Sequence, residues 1–551
     1  MFAGSSGHTV VLTSDRGSFS DYSRSSALGY FCCLPSRLVP RFLMNHLFSP
    51  AIDVGHDVEA VVAPYALRKV EAALLAQGFP DVVVAPPEYL ARAVGPGTKI
   101  VGLTAHDPYG FSPVSTKLTM LFGGGPSWNE TFFHELGSEI EMLRRRYRFR
   151  VVAGGPGVWQ MSYRRPPWVD TIFQGEAEAD LPILLRSLVR GAEAPANVQG
   201  RPPRTEEIPP IVKPARIGEV QVTRGCPRGC EFCSITPDKY RTFSLDVIER
   251  EIQVNRAGGE RNVEIVTDDI LLYGARKLRT NHEAVVELFQ RIKRTGAEQI
   301  GFAHVSAPAV RESPETMLEI GRIAEWDRTR GMTPVIGLET GSTRIFRKYM
   351  PAKAFPYKPE EWKDTILDAT LTLNQAGIDP CYTMTIGFPD ETDADVDESI
   401  AMVQSIIDQG FRAFIFPLPV IPITTSRIAG NPMPQLETLP SRYWNLLEVC
   451  WDHDLKLARR MLPSFVARMR SPAARRVTTY FIERIAPHVT KLFAEFAATG
   501  GRSAYRYRDI HLEGIGGALR SAFWISQATW HTPPGSAEAM RASSGSPPIS
   551  A

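Results

Sequence analysis

The sequence predicts an α/β protein made of two successive strand–helix units followed by a helical C-terminal region. Three observations lead there. Short β-branched runs alternate with amphipathic segments over the first 420 residues or so, a Pro-rich stretch interrupts that alternation at 200–216, and helical periodicity takes over beyond about 435. The chain has 551 residues, too many for one core, since single cores stop growing at roughly 250–300 residues.

In the first unit, "HTVVLT" (8–13), "DVVVA" (81–85), "KIVGLTA" (99–105), "RVVAGG" (150–155) and "DTIFQGE" (170–176) read as strands. Between them, "YALRKVEAALLAQG" (65–78) and "TFFHELGSEIEMLRRRY" (131–147) carry apolar residues at helical spacing. Alternation of this kind predicts a Rossmann-like parallel sheet covered on both faces. The stretch "GRPPRTEEIPPIVKPAR" (200–216) reads as a linker. The second unit offers six strands: "GEVQVT" (218–223), "VEIVTD" (263–268), "IGFAHVS" (300–306), "PVIGLET" (334–340), "CYTMTIGFP" (381–389) and "AFIFPLP" (413–419). Six such units predict a partial (β/α)6 barrel with its chemistry at the C-terminal ends of the strands. The expected organisation is a sheet domain over 1–199, the linker 200–216, a barrel over 217–430, helices over 431–535 (443–462 and 475–498 are the clearest) and a disordered tail over 536–551.

Composition excludes several classes. With 43% hydrophobic and 22% charged residues the chain is globular. Net charge is +2, which does not suggest a nucleic-acid binder. The C-terminal part is basic, with 14 Lys+Arg against 7 Asp+Glu between residues 441 and 530, so a peripheral contact with anionic lipid stands beside a helical cap as its expected role. No apolar run is long enough for a membrane span, and the N-terminus lacks the pattern of a secretory signal, so a cytoplasmic location is expected. In a reducing compartment, closely spaced cysteines hold metal or do chemistry.

Three of the seven cysteines crowd into "TRGCPRGCEFC" (223–233) as C-x3-C-x2-C: Cys226, Cys230 and Cys233. Three thiolates suit a [4Fe–4S] cube with one iron left open. A structural zinc site would want a fourth ligand that the loop lacks. The triad directly after a strand resembles the radical S-adenosylmethionine (SAM) superfamily, in which the open iron is chelated by SAM and the reduced cluster cleaves SAM to a 5′-deoxyadenosyl radical. The resemblance covers about residues 215–425. It implies that the three cysteines hold the cluster and that Phe232 lies near the adenine. It implies further SAM contacts from Asp268 and Asp269 in "TDDI", Ser306 in "HVSAP", Glu339 in "GLETGS", and Ile386, Gly387 and Pro389 in "TIGFPDET".

A parallel sheet ahead of such a barrel resembles the cobalamin (B12)-binding class of that superfamily. "VVAGGPGVWQ" (151–160) looks like its glycine-rich loop and "GEAEADLP" (175–182) like the segment that follows, which implies cobalamin contacts from Gly154, Gly155 and Gly157. "HDPYGFSP" (106–113) lies on the same rim and adds His106 and Asp107. No D-x-H-x-x-G pattern occurs, and His56 and His106 have the wrong neighbours to supply an axial ligand, so cobalamin is expected to bind without a protein histidine on cobalt. The aromatic and polar segment 14–40 reads as a lid. Its Cys32 and Cys33 read as packing residues, with a redox or substrate role as the alternative.

The resemblance implies a cobalamin-dependent methyltransferase acting on an unactivated carbon of a small-molecule, lipid or peptide substrate, with an electron donor such as flavodoxin or ferredoxin as partner. A cyclase or C–C coupling enzyme would share these motifs. A methylthiotransferase is disfavoured, because Cys32, Cys33, Cys381 and Cys450 do not form a second triad. A non-catalytic iron–sulfur or cobalamin-binding protein is the reading from outside enzymology.

Overall fold

The computed structural model describes residues 7–501 apart from 25, 123, 236–238, 328–330, 434–438 and 469–471; the expected tail at 536–551 and the last part of the helical region lie outside them. The first six strands are β1 (Val10–Ser14), β2 (Val82–Val84), β3 (Ile100–Thr104), β4 (Arg150–Gly154), β5 (Thr171–Gln174) and β6 (Asn197–Gln199). They form one sheet in the order β2-β1-β3-β4-β5-β6, and every pairing is parallel. Period-two alternation builds a core on each face. Val11, Val101 and Val151 pack to one side, and Val10, Leu12, Ile100 and Val152 to the other. The order of strand addition reverses between β1 and β3, which makes their carboxyl ends the topological switch point where doubly wound sheets bind ligands.

A small antiparallel ladder, β8 (Thr223–Arg224) with β9 (Arg241–Thr242), follows β7 (Glu219–Gln221) and brackets the cysteine loop. The barrel continues with β10 (Val263–Val266), β11 (Ile300–Phe302), β12 (Val335–Glu339), β13 (Cys381–Ile386) and β14 (Phe414–Pro419). Two parallel three-stranded sheets, β7-β10-β11 and β12-β13-β14, are joined by a parallel bridge from His304 to Val335. Six strands therefore curve round in sequence order, with β7 and β14 at the open edges. Tyr382 on β13 is fully buried and shares a hydrogen bond of 2.6 Å with Thr370 of the covering helix Trp362–Gln375. Even-numbered residues of β13 therefore face the helices, and Cys381, Thr383 and Thr385 face the barrel interior.

The segment 14–40 differs from the lid expected of it. It folds into short helical turns, Arg16–Phe19, Tyr22–Arg24 and Ser26–Cys33, because its apolar residues have a core of their own. Leu28, Cys32, Val39, Met44 and Phe48 pack with Trp128 and Phe132 of the helix Trp128–Arg144. The stretch 200–216 also differs from a free linker. Lys213 Nζ reaches Glu59 at 2.7 Å and Glu71 at 2.6 Å, Pro214 O accepts from Arg68 Nε at 3.0 Å, and Ile211 N–H donates to Glu251 at 3.1 Å. Beyond the barrel, helices Tyr443–Arg468, Pro472–Tyr480 and Ala486–Ala498 pack on one another and on β14.

Candidate active site between two strand rims

The cysteine loop leaves β8 and is pinned at several points. Glu231 N–H donates to Tyr349 O at 2.9 Å, and Glu231 O accepts from Arg427 N–H at 2.8 Å. Arg228, between the first two cysteines, turns inward and is buried. Its guanidinium donates to Lys353 O at 3.0 Å, Phe355 O at 3.1 Å and Ser306 Oγ at 2.7 Å, and it ion-pairs with Asp269 at 3.4 Å. Ser306 Oγ also donates to Asp269. Two of the expected SAM contacts, Asp269 and Ser306, thus meet around an arginine of the cysteine loop.

The three thiols share one electrostatic environment. Burial pushes each of them up, Cys230 to about 12, while the Lys353 ammonium pulls each down. Backbone N–H groups of Arg228 and Ile235 do the same for Cys226 and Cys233. Lys353 is mostly enclosed, its side chain 13% exposed, and pairs with Glu339 at 2.8 Å; desolvation opposes its charge, and the Glu339 carboxylate with the Cys230 and Cys226 thiols holds its pKa above the usual range. Glu339 ends β12 at a register shift with φ of 66°, a left-handed conformation that is uncommon for a residue with a side chain and collects at functional sites. Its other oxygen accepts from Thr385 Oγ1 at 2.7 Å, inside the barrel.

The remaining expected contacts stand around this centre. Asp268 accepts the Gly225 N–H, and burial raises its pKa. Phe232 meets Phe388 edge to face at 5.6 Å, and Phe388 stacks on Tyr349 at 4.6 Å. Ile386 is buried, Gly387 has φ of 83°, and Pro389 is exposed on the turn, so the aromatic the turn directs inward is Phe388. Glu391 closes the turn by accepting the Gly387 N–H; burial pushes its pKa up to about 7.

The residues fit a cluster with SAM on two counts. Three thiols from one loop share the field of one ammonium, Lys353, that favours thiolate. Asp269 Oδ1 and Arg228 Nε, buried beside them, have no hydrogen-bond partner among the described residues, leaving an acceptor and a donor for a zwitterionic ligand. No three His, Cys, Asp or Glu side chains among the described residues converge on a point that one metal ion could occupy.

Across from the barrel lies the carboxyl rim of the first sheet. Arg224, just ahead of the cysteines, pairs with Glu176 and, at 2.8 Å, with Glu178, both in the turn after β5; Arg241 pairs with Glu176 as well. Tyr163 Oη donates to Pro422 O at 3.3 Å, from the loop after β4 to the loop after β14. The stretch 175–182 therefore clamps the two units together through its carboxylates.

On that rim, His106 and Gly155 are exposed. Gly154 is open above: a Cβ there would meet nothing nearer than Phe173 O at 3.7 Å. Gly155 and Gly157 have reasons within the protein. Gly155 has φ of 97°, and a Cβ on Gly157 would fall 2.2 Å from His106 O, because the loops after β3 and β4 touch there. Asp107 is buried and accepts from Ser112 N–H at 2.9 Å, Ser112 Oγ at 2.7 Å, Gln160 Nε2 at 2.7 Å, Asn129 Nδ2 at 3.3 Å and Ser115 Oγ. Its side chain is spent on shaping the loop. Asp15, after β1 at the switch point, feels the charge of His106 and joins this rim. An open backbone edge at Gly154 beside His106 fits a large flat cofactor laid on the rim.

Residues 220–403 match the Radical SAM superfamily. This stretch is a radical SAM domain. The chain around it is 24% identical over 315 residues to an uncharacterised methyltransferase of Pyrococcus horikoshii, an alignment that spans 51% of this chain and 63% of that protein's own length. It is 22% identical over 355 residues to the tRNA-2-methylthio-N(6)-dimethylallyladenosine synthase of Aeromonas hydrophila, over 61% of this chain and 69% of the relative. Among solved structures, the radical SAM methyltransferase TsrM of Kitasatospora setae, described with cobalamin and a [4Fe–4S] cluster bound, matches at a TM-score of 0.50 and 15% identity over 76% of this chain and 74% of that one. The radical SAM domain and the sheet ahead of it thus share a fold with TsrM. Sequence reading reached the cysteines from their spacing, but it missed Arg228 and Lys353, whose partners are distant in the chain. A charged residue inside the tight "CPRGC" loop was the one local signal.

Proposed function

We propose that the protein is a cobalamin-dependent radical SAM methyltransferase that acts on an unactivated carbon of a small molecule. The observation that carries this reading is the apposition of the two rims: the cysteine loop is tied through Arg224 to the carboxyl end of the parallel sheet. When bound, the cluster with SAM supplies a carbon radical and cobalamin supplies the methyl group. Cys226, Cys230 and Cys233 hold the cluster, with Lys353 favouring their thiolate form. Asp269 and Ser306 orient the methionine part of SAM, Phe232 and the turn 386–389 line its adenine, and Glu339 is fixed between Lys353 and Thr385 to position it. His106 and the edge at Gly154 receive the cobalamin, while Gly155, Gly157 and Asp107 give that edge its shape. The buried walls exclude water from the space between the cofactors. An electron donor such as flavodoxin or ferredoxin reduces the cluster.

A methylthiotransferase reading has the similarity to the Aeromonas protein in its favour, but Cys32, Cys33, Cys381 and Cys450 offer no second triad. TsrM has also been described with tryptophan as substrate and a SAM analogue bound, which supports a small-molecule acceptor here. Anaerobic reconstitution followed by a cobalamin titration tests the reading. Stoichiometric binding, with S-adenosylhomocysteine and 5′-deoxyadenosine both formed in turnover, is the expected result. A substrate consumed without gaining a methyl group would overturn it in favour of cyclisation or coupling.

A further inference from the structure

The helix Pro113–Leu121 starts at Ser112, whose side chain caps it and is itself held by Asp107 on the rim of the first sheet. It packs on β14, the barrel's open edge strand. From it Lys117 reaches Phe416, with Nζ 3.7 Å from the ring centroid. Phe416 pairs with Thr383, and Phe414 with Cys381. Both partners face the barrel interior, one and two alternations below Thr385, which touches Glu339. Lys117 therefore enters the same interior as the cysteine site through the side opening, about 7 Å per alternation farther down the strands.

Lys117 is 6% exposed, and its ammonium has no hydrogen bond or carboxylate at ion-pair distance among the described residues. The groups that act on it electrostatically are Cys450, Asp454 and Cys381, none of them a cation. Asp454 gives its carboxylate to the Ile415 N–H at 2.8 Å, and burial drives its pKa well above the carboxylate range; burial likewise pushes Cys381 up to about 12. Among the described residues no carboxylate stands at ion-pair distance from the ammonium, and burial drags its pKa down to about 8. An isolated buried cation is costly unless something pairs with it.

We propose that Lys117 is the anchoring residue for the substrate and takes the carboxylate of an acid whose flat, apolar body lies along Phe416 and Phe414. One lone cation suits a monoanion; a phosphate would call for a fork or a cluster of donors. The assignment rests on the function proposed above only in taking the barrel interior as the substrate chamber.

The test uses the full-length, anaerobically reconstituted protein with Lys117→Met and Lys117→Arg variants of unchanged melting temperature and iron content. Binding of phenylacetate and indole-3-acetate is compared by calorimetry with that of their isosteric amides. The wild type is expected to prefer at least one acid over its amide by about tenfold, Lys117→Met to lose that preference and Lys117→Arg to keep part of it, with SAM affinity equal in all three. Equal binding of acids and amides to the wild type, a preference that survives in Lys117→Met, or a loss that falls on SAM would each overturn the assignment. Cobalamin titration of the same wild-type preparation separates the two ideas: absent cobalamin binding sinks the proposed function, whereas an acid preference dependent on Lys117 stands without it.

Discussion

At the scale of single residues, the barrel holds charges that are useful only while paired. Lys353→Met leaves Glu339 buried with one partner lost, and breaking a buried pair costs about 3–5 kcal/mol. The expected outcome is a large drop in melting temperature and loss of iron on reconstitution. The double variant Lys353→Met/Glu339→Gln is expected to regain stability but not iron, since the neutral amide needs no cation while the thiols still do. Equal instability of the single and double variants would show that the pair is not coupled. Glu264 on β10 faces the interior opposite Gly301, and burial, aided by the Glu219 charge, pushes its pKa up to about 7 from 4.5. Its folded-state pKa is raised, so its contribution to stability is full below about pH 4.5 and is lost as pH rises through about 7. Glu264→Gln should therefore flatten the fall in melting temperature between pH 5 and pH 8; parallel curves would contradict this.

At the scale of elements, the glycine rim separates structural from ligand-facing positions. Gly157→Ala places a Cβ 2.2 Å from His106 O and should melt several degrees early, whereas Gly154→Ala meets only Phe173 O at an ordinary contact distance of 3.7 Å and should fold normally yet bind cobalamin more weakly. Differential scanning fluorimetry with a visible-light cobalamin titration reads both, and identical behaviour of the two variants would remove Gly154 from the site. Most strands were legible because β-branched runs such as "VVLTS" and "IVGLT" are buried on both faces. β6 was not: two of its three residues, Asn197 and Gln199, are exposed, so neither a run nor an alternation marks it. The cysteine triad was legible because all three ligands come from one loop. Lys353 and Lys117 were not, since a surface lysine and a buried one look alike until distant strands surround them. Asp107 was placed on the right rim for a different reason from the one its sequence suggests: it shapes the loop, and its carboxylate is already occupied.

At the scale of the whole molecule, buried charge pairs join apolar packing in setting the two rims opposite each other. Lys69 of the first unit meets Glu251 of the barrel at 2.6 Å with both buried, and Tyr65 Oη donates to the same carboxylate at 2.8 Å. Arg224→Met would strand Glu178 and leave Glu176 with Arg241 alone, and the expected result is faster cleavage of the 200–216 stretch in limited proteolysis together with loss of cobalamin but retention of iron. Unchanged cleavage would mean that Lys69 and Glu251 hold the rims without it. The stretch 200–216 is held at Ile211, Lys213 and Pro214 by Glu59, Glu71, Arg68 and Glu251, so its second half acts as a splint. A gap with fixed jaws selects by size at its mouth. On the proposed function, a small molecule can enter such a gap whole, whereas a polypeptide can offer it only a free end.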